Sequence, residues 1–161
     1  MKASFFKPML VFFSLCLLST TCSEDDDDGS PNDNAMLIAQ VTADVQSGTW
    51  RVTSYIDSGV DETNDFNGYD FTFSANGTLT ATNGTTTKSG TWSVTDSSNS
   101  SDDSNDDNDV DFNIAFSVPE SDDFDDLNDD WDLIANSSTQ IQLRDVSGGD
   151  GSVDTLTFAK N

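Results

Sequence analysis

From residue 47 onward apolar and polar residues alternate with a period of two, in short runs separated by Gly, Asn, Asp and Ser. Eight runs carry this alternation, at 47–57, 68–74, 78–82, 87–95, 109–117, 129–135, 139–145 and 153–160. Period two places successive side chains on opposite faces of a strand, so the spacing predicts an all-β fold with eight strands. The residues assigned inward are Trp50, Val52 and Ile56; Tyr69, Phe71 and Phe73; Leu79 and Ala81; Trp92 and Val94; Val110, Phe112, Ile114 and Phe116; Trp131 and Leu133; Ile141 and Leu143; Leu156 and Phe158. Their opposite neighbours are mostly Thr, Ser, Asp and Asn, which predicts one wet side for each strand. Tyr55 is the aromatic this parity places on an outer face.

The turns test the assignment. If Phe73 and Leu79 are inward partners, Ala75, Asn76 and Gly77 make a three-residue loop with glycine at the left-handed position. A two-residue turn at Asn83-Gly84 would pair Ala81 with Thr86 and keep Trp92 inside. Short links at 136–138 and 147–152 continue the pattern, so neighbours in sequence are expected to be neighbours in space, as in an up-and-down antiparallel meander. Eight strands suffice to close a barrel, which removes the edges that the alternative, a two-sheet β-sandwich, leaves exposed.

Ahead of the first strand the period changes. Leu37, Val41 and Val45 recur at i, i+4 and i+8, which predicts a short helix over 35–46 with Asn34 as its cap. Further upstream, "SEDDDDGSPNDN" has no apolar residue and a block of like charge, and so reads as an extended tether. Residues 23–35 would span at most about 45 Å. A calcium loop there is excluded by its spacing, because the twelfth position counted from Glu24 is Ala35 and no closing glutamate is present.

Residues 1–21 hold Lys2 and Lys7, then the ten-residue stretch "MLVFFSLCLL", then Ser19, Thr20 and Thr21. Ten residues are too few for a membrane span, which needs about 20, so the segment reads as a signal peptide. The residues Leu18, Ser19, Thr20 and Thr21 followed by Cys22 resemble the lipobox of bacterial lipoproteins. That resemblance implies a cut before Cys22, a lipid on its sulfur and a membrane anchor. The acidic stretch behind Cys22, beginning with Ser23 rather than Asp, resembles the surface-export signal of Bacteroidota lipoproteins and implies an outer-membrane, cell-surface address. The alternative is ordinary secretion with Cys22 left as a free thiol. The organisation expected is therefore signal peptide 1–21, lipidated cysteine and tether 22–35, and a barrel domain over 36–161.

Composition narrows the function classes. The sequence carries 30 Asp and Glu against 6 Lys and Arg and has no histidine. Without Lys2 and Lys7 four bases remain, a net charge of about -26, which repels nucleic acid and favours a monomer that stays soluble in salt. The other cysteine, Cys16, lies inside the leader, so the remainder has no disulfide and is held by packing. Histidine-based nucleophilic triads and His or paired-Cys zinc sites are excluded, and no carboxylate pair stands out from the excess. The expectation is a non-enzyme without cofactor or metal. The acidic run 101–111 lacks the glycine turn and closing glutamate of a calcium loop, and "GGDGSVD" (148–154) occurs once where stacked calcium repeats need many.

One base stands out. Lys88 shares the inward parity of Trp92, where it would meet the carboxylate of an amphiphile, unless a bulge at Ser89-Gly90 turns it out or it lies at the rim.

Gly48, Thr49 and Trp50 match the Gly-x-Trp that opens the first strand of lipocalin-like barrels, and Lys160 falls where such barrels place a base over that tryptophan. Over about residues 45–161 the chain resembles small lipocalin-like, calycin-type surface lipoproteins of Bacteroidota, although the Thr-Asp-Tyr signature of lipocalins is absent. The resemblance implies barrel closure by Gly48, Trp50 and Lys160, and capture of a small hydrophobic or amphiphilic ligand. Against a cavity stands the bulk of the inward set, so the alternative is a filled barrel that contacts protein or glycan from its outside.

Overall fold

The structure, a computed structural model, describes residues 31–97, 110–146 and 151–161. Cys22, the leader, most of the tether, most of the acidic run 101–111 and most of the link 147–152 lie outside these residues. After a helix α1 (Pro31–Val45) come β1 (Trp50–Asp57), β2 (Val60–Asp61), β3 (Asp70–Phe73), β4 (Thr78–Thr82), β5 (Thr87–Asp96), β6 (Val110–Phe116), β7 (Asp129–Asn136), β8 (Gln140–Val146) and β9 (Val153–Lys160). All pairings are antiparallel and follow chain order, and β9 returns to pair with β1 from Trp50↔Lys160 to Ile56↔Thr155. The fold is a closed eight-stranded up-and-down barrel with one extra two-residue strand, which eliminates the sandwich.

The eight expected runs are the eight barrel strands, and all of the inward set but Ile56, Tyr69 and Val94, which are half-buried, belongs to the buried core. Trp50, Phe71, Leu79, Phe112, Ile141, Leu156 and Phe158 are fully buried. Phe73 pairs with Leu79, and Gly77 has a φ of 80°, the left-handed backbone that glycine adopts without a Cβ clash. Across the next turn the pairing differs from expectation. Ala81 pairs with Lys88, and Asn83–Thr86 form a four-residue loop closed by Asn83 N–H to Thr86 O. The Asn83 carboxamide oxygen accepts from both Thr85 and Thr86 N–H, which stabilises the longer turn. Because the shift is two residues, the faces are unchanged.

Two bulges do change faces. In β1 the register slips by one between Val52 and Ser54, leaving Thr53 as the extra residue. Tyr55 therefore turns inward opposite Leu156 and is buried, while Ile56, expected inside, is only half-buried. In β7 the register slips by one at Ile134, so that Asn136 rather than Ala135 stands opposite the inward Ile141.

Helix α1 begins at Pro31, three residues before the expected cap, and takes in the last five residues assigned to the tether. Proline suits a first helical position, where its missing N–H is not needed. Asn34 does not cap; its amide donates to Asp96 at the end of β5 (3.3 Å). Val41 and Val45 are buried against the barrel end and Leu37 is half-buried beside them. Asn136 at the end of β7 donates to Asp44 (3.2 Å).

Candidate functional site: the two ends of the barrel and the rings between them

At the helix end the indole N–H of Trp50 donates to Val45 O (2.9 Å), which joins strand to helix. The Lys160 ammonium lies 5.4 Å from the centre of that ring and donates to Ser138 O (3.3 Å). Gly48, with φ 105°, runs beneath it; a Cβ there would lie 3.1 Å from Lys160 Cε. The backbone favours glycine there, and a Cβ would press lightly on the lysine stem crossing over it. The structure brings Gly48, Trp50 and Lys160 together as one closure. Asn161 continues it, with its side-chain amide donating to Thr49 Oγ1 (3.2 Å) and Asp70 Oδ1 (2.6 Å), while Arg51 donates to Asn161 Oδ1 (2.8 Å).

The opposite end is plugged by two connections. The β1–β3 connection holds β2 and a 3-10 turn, Thr63–Phe66; the β6–β7 connection holds a second, Asp125–Leu127. Each sends a ring inward: Phe66 packs on Phe124 (centroids 5.3 Å apart) and on Tyr55 (5.4 Å), and Phe124 packs on Tyr69, Phe71 and Phe116. The Tyr55 hydroxyl donates to Asp126 O (2.9 Å), tying the second connection to β1. Burial, and then the carboxylates of Asp57 and Asp126, hold that phenol well above its usual range.

Lys88 lies at this plugged end. β5 pairs with β4 without a bulge, so the lysine keeps the inward parity of Trp92. It does not point into an open lumen. Its ammonium pairs with Asp122 on the β6–β7 connection and stands 5.7 Å from the Phe124 ring. The hydrogen bond from Lys88 holds the Asp122 carboxyl below its usual range. Gly90, one turn of the pleat further on, faces Phe116 so closely that a Cβ would lie 2.3 Å from Ala115 O.

Between the ends the interior is a continuous run of rings. Trp92 stacks on Phe112 (6.0 Å), both meet Phe73, Phe73 meets Phe158 (5.6 Å), and Phe158 meets Phe71 (5.2 Å), which joins the plug at Phe124. The run ends at Tyr55 and Trp131 (6.3 Å). Most contacts are edge-to-face, each adding about 0.5–1.5 kcal/mol beyond burial.

On the outer wall an open depression of about 660 Å³ lies between the β3–β4 turn and strands β5 to β7, with Asn76, Thr91, Ser93, Asn113 and Asp130 around it. At its edge the Asp129 carboxyl is pushed up to about 6 by partial burial and by contact with Asp130. Among the described residues no three carboxylates converge as metal ligands would.

Sequence reasoning missed Phe66, Phe124 and Asp122. Phe66 in "ETNDFN" and Phe124 and Leu127 in "ESDDFDDLN" are the large apolar residues of acidic stretches, and that setting is the signal that each is buried. Asp122 carried no signal among so many acids.

No protein-family model matches the sequence, and none of the curated proteins compared with it matches. Among solved structures the chain is similar to a DUF4847 family protein from Bacteroides vulgatus ATCC 8482, at 21% identity and a TM-score of 0.46, covering 75% of this chain and 97% of that one. A likeness at that level carries no argument about activity.

Proposed function

We propose that the protein is a lipid-anchored, non-enzymatic barrel module, held at the outer membrane by Cys22, that meets its partners through its outer surface. The observation that supports the outward reading is the unbroken run of ring contacts from Trp92 to Trp131, together with the plugs at both ends. Those rings lie where a lipocalin-like barrel would hold its ligand, which supports a filled interior. The anchor rests on the leader and on Cys22 being the one cysteine behind it. The absence of histidine, with carboxylates spread over loops and wet faces, supports a binding rather than a chemical role.

Lys88 favours a second reading, capture of an amphiphile at the plugged end. A ligand carboxylate would have to displace Asp122 from the ammonium, and its chain would have to displace Phe66 or Phe124. Solvent extraction of the purified protein followed by mass spectrometry separates the two. The first reading expects no co-purifying lipid; about one lipid per chain would overturn it. Mass spectrometry of the mature N-terminus tests the anchor, with an acylated Cys22 expected and a free terminus removing both anchor and address.

A further inference from the structure

The plugged end is where the barrel wall is least regular. β1 has a long ladder with β9 but a single registered pair with β3, Trp50↔Phe71. Beyond that pair the segment 58–68 takes the place of a neighbouring strand. Its attachments are few. β2 contributes two pairs to β1, Tyr55 N–H donates to Thr63 Oγ1 (2.8 Å), Glu62 N–H donates to Tyr55 O (3.0 Å), and Ser58 N–H donates to Asp154 (2.7 Å). Phe66 is its apolar anchor, 2% exposed. Both ends of the segment have left-handed backbone: Ser58 (φ 48°) and Gly59 (φ 85°) at one, Gly68 (φ 80°) at the other. Such residues are where a segment pivots without disturbing the strands on either side.

Like charge opposes the anchor. The segment carries Asp61, Glu62 and Asp65. Facing it are Asp57 on β1, Asp154 on β9, and Asp123 and Asp126 on the β6–β7 connection. Lys88 on β5 lies at this end and Asp122 engages it, while Arg144 on β8, opposite Thr155, pairs with Asp132. Partial burial and these neighbouring carboxylates raise the affinity of Glu62 and Asp126 for protons, whereas the bond from Thr63 keeps Asp61 ionised.

We propose that residues 58–68 form a charge-controlled strap over the end of the barrel, held shut by Phe66 and pushed open by the carboxylates that face one another across it. This goes beyond either reading of the function and depends on neither. The direction with pH follows from the proton affinities. Groups that bind protons more tightly in the shut form stabilise it at low pH, and that stabilisation is lost as pH rises. Salt screens the same repulsion and favours the shut form.

Hydrogen exchange of the purified protein, corrected for intrinsic rates, tests the proposal. The amides of Tyr55, Glu62 and Asp65 report the strap; those of Arg51 and Ala159 report the β1–β9 ladder. From about pH 5 to pH 7.5 at low salt, strap protection should fall on the order of threefold to tenfold relative to the ladder, and about 0.5 M NaCl should restore it. The double variant Glu62→Gln, Asp126→Asn changes exposed or half-exposed carboxyls and should lose most of this response. Strap protection that tracks the ladder at every pH and salt concentration would overturn the proposal, as would an undiminished response in the double variant.

Discussion

Single residues define how much this barrel tolerates. Gly90 faces Phe116 across β5 and β6, and a methyl group there would lie 2.3 Å from Ala115 O, on backbone that two ladders hold in place. Gly90→Ala should cost about 2–3 kcal/mol in urea unfolding, more than the small gain expected of Gly→Ala in an open strand. A second residue-scale effect has a pH signature. The Asp129 carboxyl, pushed up to about 6, is favoured neutral in the folded protein. Its contribution is therefore present below the unfolded carboxylate range and lost as pH rises through about 6. Asp129→Asn keeps an oxygen for the Asp130 N–H and removes the charge. The variant should melt about 2–4 °C higher at pH 7.5 and no higher at pH 4, read by calorimetry at both. At the helix end, Lys160→Ala removes the cation above Trp50 and should cost about 1 kcal/mol while red-shifting the emission of an indole that becomes wetter.

At the scale of elements, the strap shows what a hydroxyl does in place of a strand. Thr63 Oγ1 accepts the Tyr55 N–H that β3 would take in a regular wall. Thr63→Val, nearly isosteric, leaves that donor unpaired and should cost about 1–2 kcal/mol, with exchange at Tyr55 quickened more than at any ladder amide. The same region marks the limit of what could be read from the chain. The strands were legible because alternation survives in the residues themselves, and the helix was legible from Leu37, Val41 and Val45. Tyr55 was placed on the wrong face because the bulge at Thr53 has no signature: threonine suits a regular strand as well as a bulged one. The approach of Lys160 to Trp50 over Gly48 could be expected only from the resemblance of Gly48, Thr49 and Trp50 to the Gly-x-Trp of lipocalin-like barrels, not from the strand pattern. The role of Lys88 was half legible. Parity gave its side of the sheet, but its partner Asp122 sits in a connection whose path depends on where Phe124 is buried.

For the whole molecule, charge and closure matter most. A net charge of -24 is carried by the full sequence, and the carboxylates at the plugged end already repel one another. The melting temperature should therefore rise with NaCl from about 10 mM to 150 mM and flatten above that range, as the screening length falls below the spacing between charges. An unchanged midpoint would mean that the surface charges are too well separated to matter.

The pairing of β1 with β9 has a consequence in time as well as in space. Trp50 lies opposite Lys160, so the ladder that shuts the barrel joins two positions 110 residues apart in sequence. Contacts at such separation form late, because the chain must find them before they return any free energy, and barrels dominated by them fold in milliseconds to seconds rather than microseconds. Until residue 160 is available there is nothing to shut the barrel against, and hairpins such as β4–β5 have no complete core to join. A growing chain of this kind completes its fold only when nearly all of it has been made.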